Sequence, residues 1–399
     1  MSRRRLGIVV VVVAIVSRTC PARDSRAEAN PVHLLRASDS SVVARTVVVI
    51  TFKVSRTKIP PRSAPTPALS VVEAWRDVNG TRIPAMIYGT AYKRHGTADL
   101  VERALRAGFV GVDTATAEGK RYNDSGVGEA LLRVFAATPR RDYYVQLKVH
   151  HVRPGYNERE KVAEGETALR VKRSVAHGLQ NLNLEYVDAL LLRGPSGEAL
   201  RTGKLSAEDI EAWGAMGEIV KSGRAKHLGV CNFGPSLVEQ LLALGGSRPV
   251  VLQARCHAAT GWSRQMRDYC TRHGIVYQAP SLVTDNRAAL QRGGAAHQIA
   301  FARRATVERV LVRFALQLGI VPVLGPSSQR HVRDDVDAFD LELTQKEVAA
   351  IERDALAKKI KADHHHVSST TKKNKEMAAS SRPKGADSNE GPASPFGTD

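Results

Sequence analysis

Residues 97–113, TADLVERALRAGFVGVD, change character at one glycine. TADLVERALRAG reads as a helix ended by Gly108, because helices commonly stop where glycine can take left-handed torsions. FVGVD (109–113) then reads as a short buried strand that ends on a carboxylate, Asp113. The same alternation runs outward in both directions. MIYGT (86–90) is a strand before it, and SGVGEALLRVFAA (125–137) a helix after it. YYVQLK (143–148) leads, past a loop, to the long helix GETALRVKRSVAHGLQNL (165–182). YVDALLL (186–192) leads to SAEDIEAWGAMGEIVKSG (206–223), where Ser206 and Asp209 suit a helix N-terminus. AKHLGV (225–230) pairs with GPSLVEQLLALG (234–245), and VVLQ (250–253) with SRQMRDYCTRHG (263–274). IVYQA (275–279) reaches TVERVLVRFALQLG (306–319) through an irregular stretch. IVPVL (320–324) is the last strand, before a final helical region through LTQKEVAAIERDAL (343–356).

Strands alternating with helices imply right-handed crossovers and a parallel sheet. Eight such units in roughly 270 residues fit an α/β fold of the (β/α)8 TIM-barrel type. A doubly wound open sheet is the alternative, but it usually carries G-x-G-x-x-G after its first strand, and none is present. Ahead of the barrel, VVEAWRDVNGTRIPAM (71–86) is two short segments around Asn79-Gly80, which predicts an N-terminal β-hairpin.

The barrel is expected over 71–356. Residues 1–70 form a basic extension with an apolar run, Leu6–Val16, and a Pro-rich linker ending KIPPRSAPTPALS. Residues 357–399 form a polar tail expected to be disordered. The formal charge of +19 sits largely in these flanks. Residues 1–70 hold 12 Lys/Arg against 3 Asp/Glu, and 357–399 hold 8 against 5. No RNP, zinc-finger or helix-turn-helix pattern accompanies the basicity, so no nucleic-acid partner is expected. Eleven apolar residues after MSRRR resemble a secretory signal or short anchor but are too few for an ordinary membrane span. A cytoplasmic location is expected, with targeting or membrane contact through that segment left open. Cys20, Cys231, Cys256 and Cys270 show neither C-x-x-C nor paired spacing, and His364–His366 lie in the polar tail, so no metal site is expected.

In a barrel of this kind the active site forms at the C-terminal ends of the strands. That rule gathers Asp113 and, in the loop after it, Tyr122. It adds Lys148 in VQLKVHH, Arg193 in LLLRGP, Cys231 and Asn232 in GVCNFG, and Gln253 in VLQARCH. A phenol titrates near 10 and is a weak acid at neutral pH, but a neighbouring ammonium stabilises the phenolate. With Asp113 holding Lys148 charged and oriented, Tyr122 becomes a general acid toward a carbonyl oxygen receiving a hydride. The hydride must come from a cofactor. Each residue also has a plain structural reading. Asp113 could cap a helix, Tyr122 could anchor a loop, and Asn232 and Gln253 could satisfy backbone groups. Lys148 alone is one of 59 basic residues.

YGTAYK, GFVGVDTA, YNDSGVGEAL, GRAKHLGVCNF and DLELTQKEVAAIE, in this order and spacing, resemble the aldo-keto reductases. The resemblance runs from Val71 to Leu356 and is nearest to a subgroup with a lengthened Asp-to-Tyr loop, matched also in TGW, YCTRHGIVYQ and TDN. It implies a barrel that reduces aldehydes and ketones with NADPH, NADH being possible. It also implies a catalytic Asp, Tyr, Lys and His. Asp113, Tyr122 and Lys148 match the first three; Arg193 stands where the family has His. The family's Ser-Asn pair for the nicotinamide amide is here Cys231-Asn232, and Gln253 is retained. Pro280 stands where an aromatic ring would stack. Gly325-Pro326 and His331 stand where a phosphate-binding Lys-Ser and Arg would, with Arg330 and Arg333 close enough in sequence to meet a phosphate.

The expected function is an NAD(P)H-dependent oxidoreductase reducing a small aldehyde or ketone to an alcohol. The departures at Arg193, Cys231 and Pro280 keep a second reading open: a weak or inactive barrel that binds a nucleotide or a protein. A third reading makes the basic flanks the functional part.

Overall fold

The computed structural model describes residues 74–78, 80–116, 121–150 and 165–355. The apolar run 6–16, the linker, Cys20, the loop 151–164, His364–His366 and the tail lie outside the described residues. Among the described residues no helix is long and apolar enough to cross a membrane.

The described residues open with the expected hairpin, β1 (Trp75–Val78) antiparallel to β2 (Thr81–Pro84). Gly80 takes φ +77° at the turn, and its N–H donates to Asp77 Oδ1 at 2.9 Å. Eight parallel strands follow: β3 (Ile87–Gly89), β4 (Gly111–Ala115), β5 (Tyr144–Val149), β6 (Val187–Arg193), β7 (Ala225–Cys231), β8 (Pro249–Gln253), β9 (Val276–Pro280) and β10 (Val321–Leu324). They close into a barrel in which β10 pairs with both β9 and β3. This is the (β/α)8 barrel that the alternation predicts.

Around the strands run α1 (Thr97–Ala107), α2 (Asp124–Phe135), α3 (Glu166–Leu182), α4 (Gly197–Thr202), α5 (Ala207–Lys221), α6 (Pro235–Ala243), α7 (Arg264–His273), α8 (Leu282–Asp285), α9 (Ala295–Arg303), α10 (Val307–Gln317), α11 (Gln329–Val336) and a last helical segment, 345–355. Ser206 and Asp209 form a capping box at the start of α5, and α1 ends at Gly108 with φ +122°. The sequence rhythm does not reveal α4, α9 and α11 as separate helices. Both α4 and α11 rest on local caps: Ser196 accepts from Ala199 N–H and Ser328 from His331 N–H. At six and eight residues they are too short to show a clear period.

Strand alternation sorts the side chains by height inside the barrel. Lowest is an apolar cluster of Ile87, Tyr144, Ala189, Leu191, Val251, Val276, Val321 and Val323, closed from below by Ile83 of the hairpin. Gly229 belongs here because a Cβ would lie 2.7 Å from Val251 O. Alternate residues of β5, Val145, Leu147 and Val149, join the outer core with the helices. Two residues above Tyr144 comes Gln146, and two above that Lys148. The interior therefore passes from apolar to polar toward the mouth.

Candidate active site

The polar layer is built from neighbouring strands in register: Asp113 beside Gln146, and Gln253 beside Gln278. Asp113 Oδ1 accepts from Gln146 Nε2 at 2.7 Å and from Gln253 Nε2 at 3.2 Å. Gln278 Oε1 accepts from the same two amides at 2.9 and 3.1 Å, and its own Nε2 donates to Gln146 Oε1 at 2.9 Å. Tyr144 donates to Gln146 Oε1 at 3.2 Å from below. Burial, with Asp188 and Asp113 nearby, pushes the Tyr144 phenol well above its ordinary value, so it remains a donor.

On this layer stands a buried ion pair. Lys148 Nζ bonds Asp113 Oδ2, and the two residues are 2% and 3% exposed. An ion pair so deep survives only when its remaining polar atoms are satisfied, and the two glutamines do this for Asp113. Burial works against the Lys148 charge, but Asp113, Tyr122 and Cys231 outweigh it and hold the ammonium above its ordinary pKa.

Tyr122 is half-buried and directly precedes Asn123, the cap of α2, whose side chain accepts from Gly126 N–H at 3.0 Å. Asn123 also donates to Arg94 O at 3.2 Å, tying the start of α2 to the β3–α1 loop. Lys148 Nζ and Arg193 Cζ each lie 5.3 Å from the centroid of the Tyr122 ring. Asp113, Tyr122, Lys148 and Arg193 therefore come together at the mouth. Of the loop joining Asp113 to Tyr122, residues 117–120 lie outside the described residues.

Cys231 is level with Arg193 across the β6–β7 ladder. Burial, with Asp113, pushes its thiol up to about 11 against the pull of Lys148 and Arg193, so it stays protonated at neutral pH. Its S–H donates to Gln253 Oε1 at 3.6 Å. Asn232 is exposed and left-handed at φ +64°, a conformation asparagine tolerates; its N–H donates to Gln253 O at 2.8 Å. Gln253 lines the mouth, yet its amide N–H groups point to Asp113 and Gln278.

A cleft of about 1030 Å³ runs from Asp113, Tyr122, Lys148, Arg193, Cys231 and Asn232 past Pro280 to the loop 325–328 and the start of α11. His331 lines it; Arg330 and Arg333 do not. Arg333 faces a separate hollow with Asp99, Glu102 and Arg106 of α1, and Arg330 lies 4.0 Å from Asp334. At Gly325 a Cβ would lie 2.9 Å from Gly89 O. The ends of β10 and β3 are too close there for a long side chain to leave unhindered. Lys93 reaches in from the β3–α1 loop instead, bonding Gly325 O and donating to Ser327 Oγ at 3.0 Å.

Lys93, Arg121, Gln146, Gln278 and Asp335 are site residues that sequence reasoning missed. Gln146 had a usable signal, lying two residues before Lys148 on one strand face. Lys93 closes the YGTAYK motif. Arg121 lines the cleft beside Tyr122, its Nε donating to Tyr92 OH at 2.8 Å. Asp335 lines the cleft from α11, 6% exposed; burial, with Asp334 and Glu308, raises its carboxyl to about 8.

Residues 85–354 match the aldo/keto reductase family. An aldo-keto reductase of Mycolicibacterium vanbaalenii is 29% identical over 249 residues, 62% of this chain and 80% of that protein. NADPH-dependent codeinone reductase 1-1 of Papaver somniferum is 27% identical over 297 residues, 68% of this chain and 86% of that one. The crystal structure of an aldo/keto reductase from Brucella melitensis superposes with a TM-score of 0.58 at 24% identity, covering 70% of this chain and 98% of that one. With the barrel, the match to most of its length and the oxidoreductase relatives in agreement, this chain belongs to the aldo/keto reductase family.

Proposed function

We propose that the barrel reduces the carbonyl group of a small aldehyde or ketone to an alcohol, using NAD(P)H. The observation that carries this is the buried Asp113–Lys148 pair set against Tyr122 at the floor of a deep cleft. Tyr122 gives its hydroxyl proton to the carbonyl oxygen. Lys148, 5.3 Å from the ring, stabilises the phenolate left behind, and Asp113 keeps Lys148 charged and in place. Gln146 and Gln253 hold Asp113 in turn.

The cleft suits a nicotinamide dinucleotide. Asn232 and Gln253 Oε1 would hold its amide. Lys93 from the β3–α1 loop, with Ser327, Ser328 and His331 around the N-terminus of α11, offers a cation, hydroxyls and N–H donors for phosphate. When bound, the reduced nicotinamide supplies the hydride. NADPH is the expected form and NADH the comparison. Arg330 and Arg333 stand outside the cleft lining, so the phosphate role falls first to Lys93 and His331.

The second reading, a barrel that binds nucleotide without turnover, draws on Arg193 at the position where the resemblance implies His, and on the inward-turned Gln253 amide. One experiment separates the two. The whole chain is titrated with NADPH and NADH by fluorescence, then assayed with a panel of aldehydes and ketones. Saturable binding and turnover that Tyr122→Phe lowers by about 100-fold or more, with binding retained, support the reductase. Binding without turnover, restored by Arg193→His, would mean a decayed site. No binding of either nucleotide at millimolar concentration would sink hydride transfer.

A further inference from the structure

We infer that Gln278 is a positioning residue of the proton-donating site: it holds the amides of Gln146 and Gln253 with their N–H groups toward Asp113, and so keeps the proton of the Asp113–Lys148 pair on Lys148. This rests on the reductase reading. Gln278 stands on β9, whose neighbours are β8 and β10. In the ring of eight strands β9 lies opposite β5, which carries both Gln146 and Lys148. Among the described residues the Gln278 side chain bonds Gln146 and Gln253, and neither member of the ion pair. Its effect on the chemistry is therefore relayed.

A side-chain amide has a nitrogen end that donates and an oxygen end that accepts, whereas a carboxylate only accepts. Gln146 and Gln253 support Asp113 only while Nε2 faces it. Turned over, each would set an oxygen against Asp113 Oδ1. Water cannot correct such a reversal, because Gln146, Gln253 and Gln278 are 0%, 2% and 0% exposed. Gln278 removes the choice. Its Oε1 accepts from Nε2 of both amides, at 2.9 and 3.1 Å. Its Nε2 returns a bond to Gln146 Oε1 at 2.9 Å, so these two amides form a reciprocal pair across the barrel. Reversing Gln146 alone would bring N–H against N–H and oxygen against oxygen. Tyr144 and Cys231 hold the same sense from two sides. Tyr144 donates to Gln146 Oε1 at 3.2 Å from below, and the Cys231 S–H donates to Gln253 Oε1 at 3.6 Å from the mouth.

The direction of this layer decides where the pair's proton sits. Two N–H groups on Oδ1 stabilise the Asp113 charge, since hydrogen bonds to the charged form favour it. A carboxylate satisfied in this way competes poorly for the proton on Lys148 Nζ. Tyr122 needs that ammonium charged when it becomes a phenolate. Gln278 thus acts on Tyr122 through an amide, a carboxylate and a lysine. A fully satisfied polar network of this kind is stiff, and can be worth more than its separate bonds.

The test uses two near-isosteric replacements in the whole chain. Gln278→Met keeps the volume and loses the amide. Gln278→Glu, while protonated, keeps one acceptor and one donor, and burial beside Asp113 favours the protonated form near neutrality. At pH 6.5, with saturating NADPH, Gln278→Met should lower kcat for an aldehyde by about tenfold or more and leave its KM unchanged, while Gln278→Glu should stay within about threefold of the parent. Raising the pH to 9 should then slow Gln278→Glu relative to the parent, as a second carboxylate forms beside the first. The other titratable and charged groups around the layer are Asp113, Lys148, Tyr144 and, at the mouth, Tyr122, Cys231 and Arg193; the ratio to the parent at each pH removes their own titration. A second arm needs no turnover. Nitrogen NMR of isotope-labelled lysine reads the Lys148 ammonium, assigned by its loss in Lys148→Met. The resonance should persist in Gln278→Glu at pH 6.5, and shift or vanish by exchange in Gln278→Met. Equal kcat for the two variants, or an unmoved resonance in Gln278→Met beside a lowered melting temperature, overturns the inference and leaves Gln278 a structural role. If Gln278→Met does not fold, Gln278→Glu carries both arms, and a rate and resonance that follow the parent from pH 6.5 to 9 overturn the inference. If the parent reduces no aldehyde, the reductase reading fails, and the resonance alone decides whether Gln278 holds Lys148.

Discussion

The Asp113 carboxylate has three polar side-chain partners, Lys148 and Gln146 from β5 and Gln253 from β8. The acid, the lysine and the tyrosine were legible in the sequence because each is out of character for its place. A carboxylate and an ammonium rarely end buried strands unless they are paired. Gln146 was legible only through its place two residues before Lys148, and Gln278 not at all, since an amide on a strand shows no partner until the ring brings two strands side by side. Asp335 was missed for a related reason: in RHVRDDVDAF it is one acid among several, and only the packing of α11 makes it the buried one. Its carboxyl titrates near 8 in the folded protein, against about 4 for an ordinary aspartate. Folding therefore takes up a proton between these values. The stability this gives is complete below about pH 4 and is lost as pH rises through 8. Asp335→Asn should melt like the parent at pH 4.5 and, at pH 8.5, be more stable by on the order of 1–3 kcal/mol. Melting curves that stay parallel across that range would refute the raised titration.

The helix α2 carries Tyr122 at its entry, and its position is set by glycine. A Cβ on Gly128 would sit 2.0 Å from Asn181 O of α3, so the two helices touch along their backbones. Asn181 Nδ2 adds a bond to Asp124 Oδ2 at 3.0 Å. Gly128→Ala should force α2 away from α3 and cost about 3 kcal/mol, the upper end of ordinary overpacking. Because the cap Asn123 adjoins Tyr122, kcat should fall as well. An unchanged melting temperature would show that the helices have slack. At this scale the sequence speaks where signals are local: the Ser206–Asp209 cap and the Gly108 stop are each readable within a few residues. The reach of Lys93 to Gly325 and Ser327 spans more than two hundred residues, and no local pattern announces it.

Across the whole molecule, the apolar floor and the reactive mouth are separated by the amide layer. Ile83 of the hairpin is buried in that floor. Ile83→Ala should destabilise the protein by about 2–5 kcal/mol while leaving KM unaltered. A large change in KM would mean that the floor and the mouth are coupled. The eightfold rhythm made the barrel readable, but rhythm alone does not say which residues face each other across it. Closure is made by β10, where Val323 and Leu324 lie beside Ile87 and Tyr88. That seam gives the site a place in time. A ribosome has polymerised Asp113, Tyr122, Lys148 and Arg193 well before it reaches residues 321–324. For that interval the growing chain carries every proposed reacting group but an unsealed sheet edge at β3, so the mouth is complete only once residues 321–324 have emerged and the last strand docks against the first.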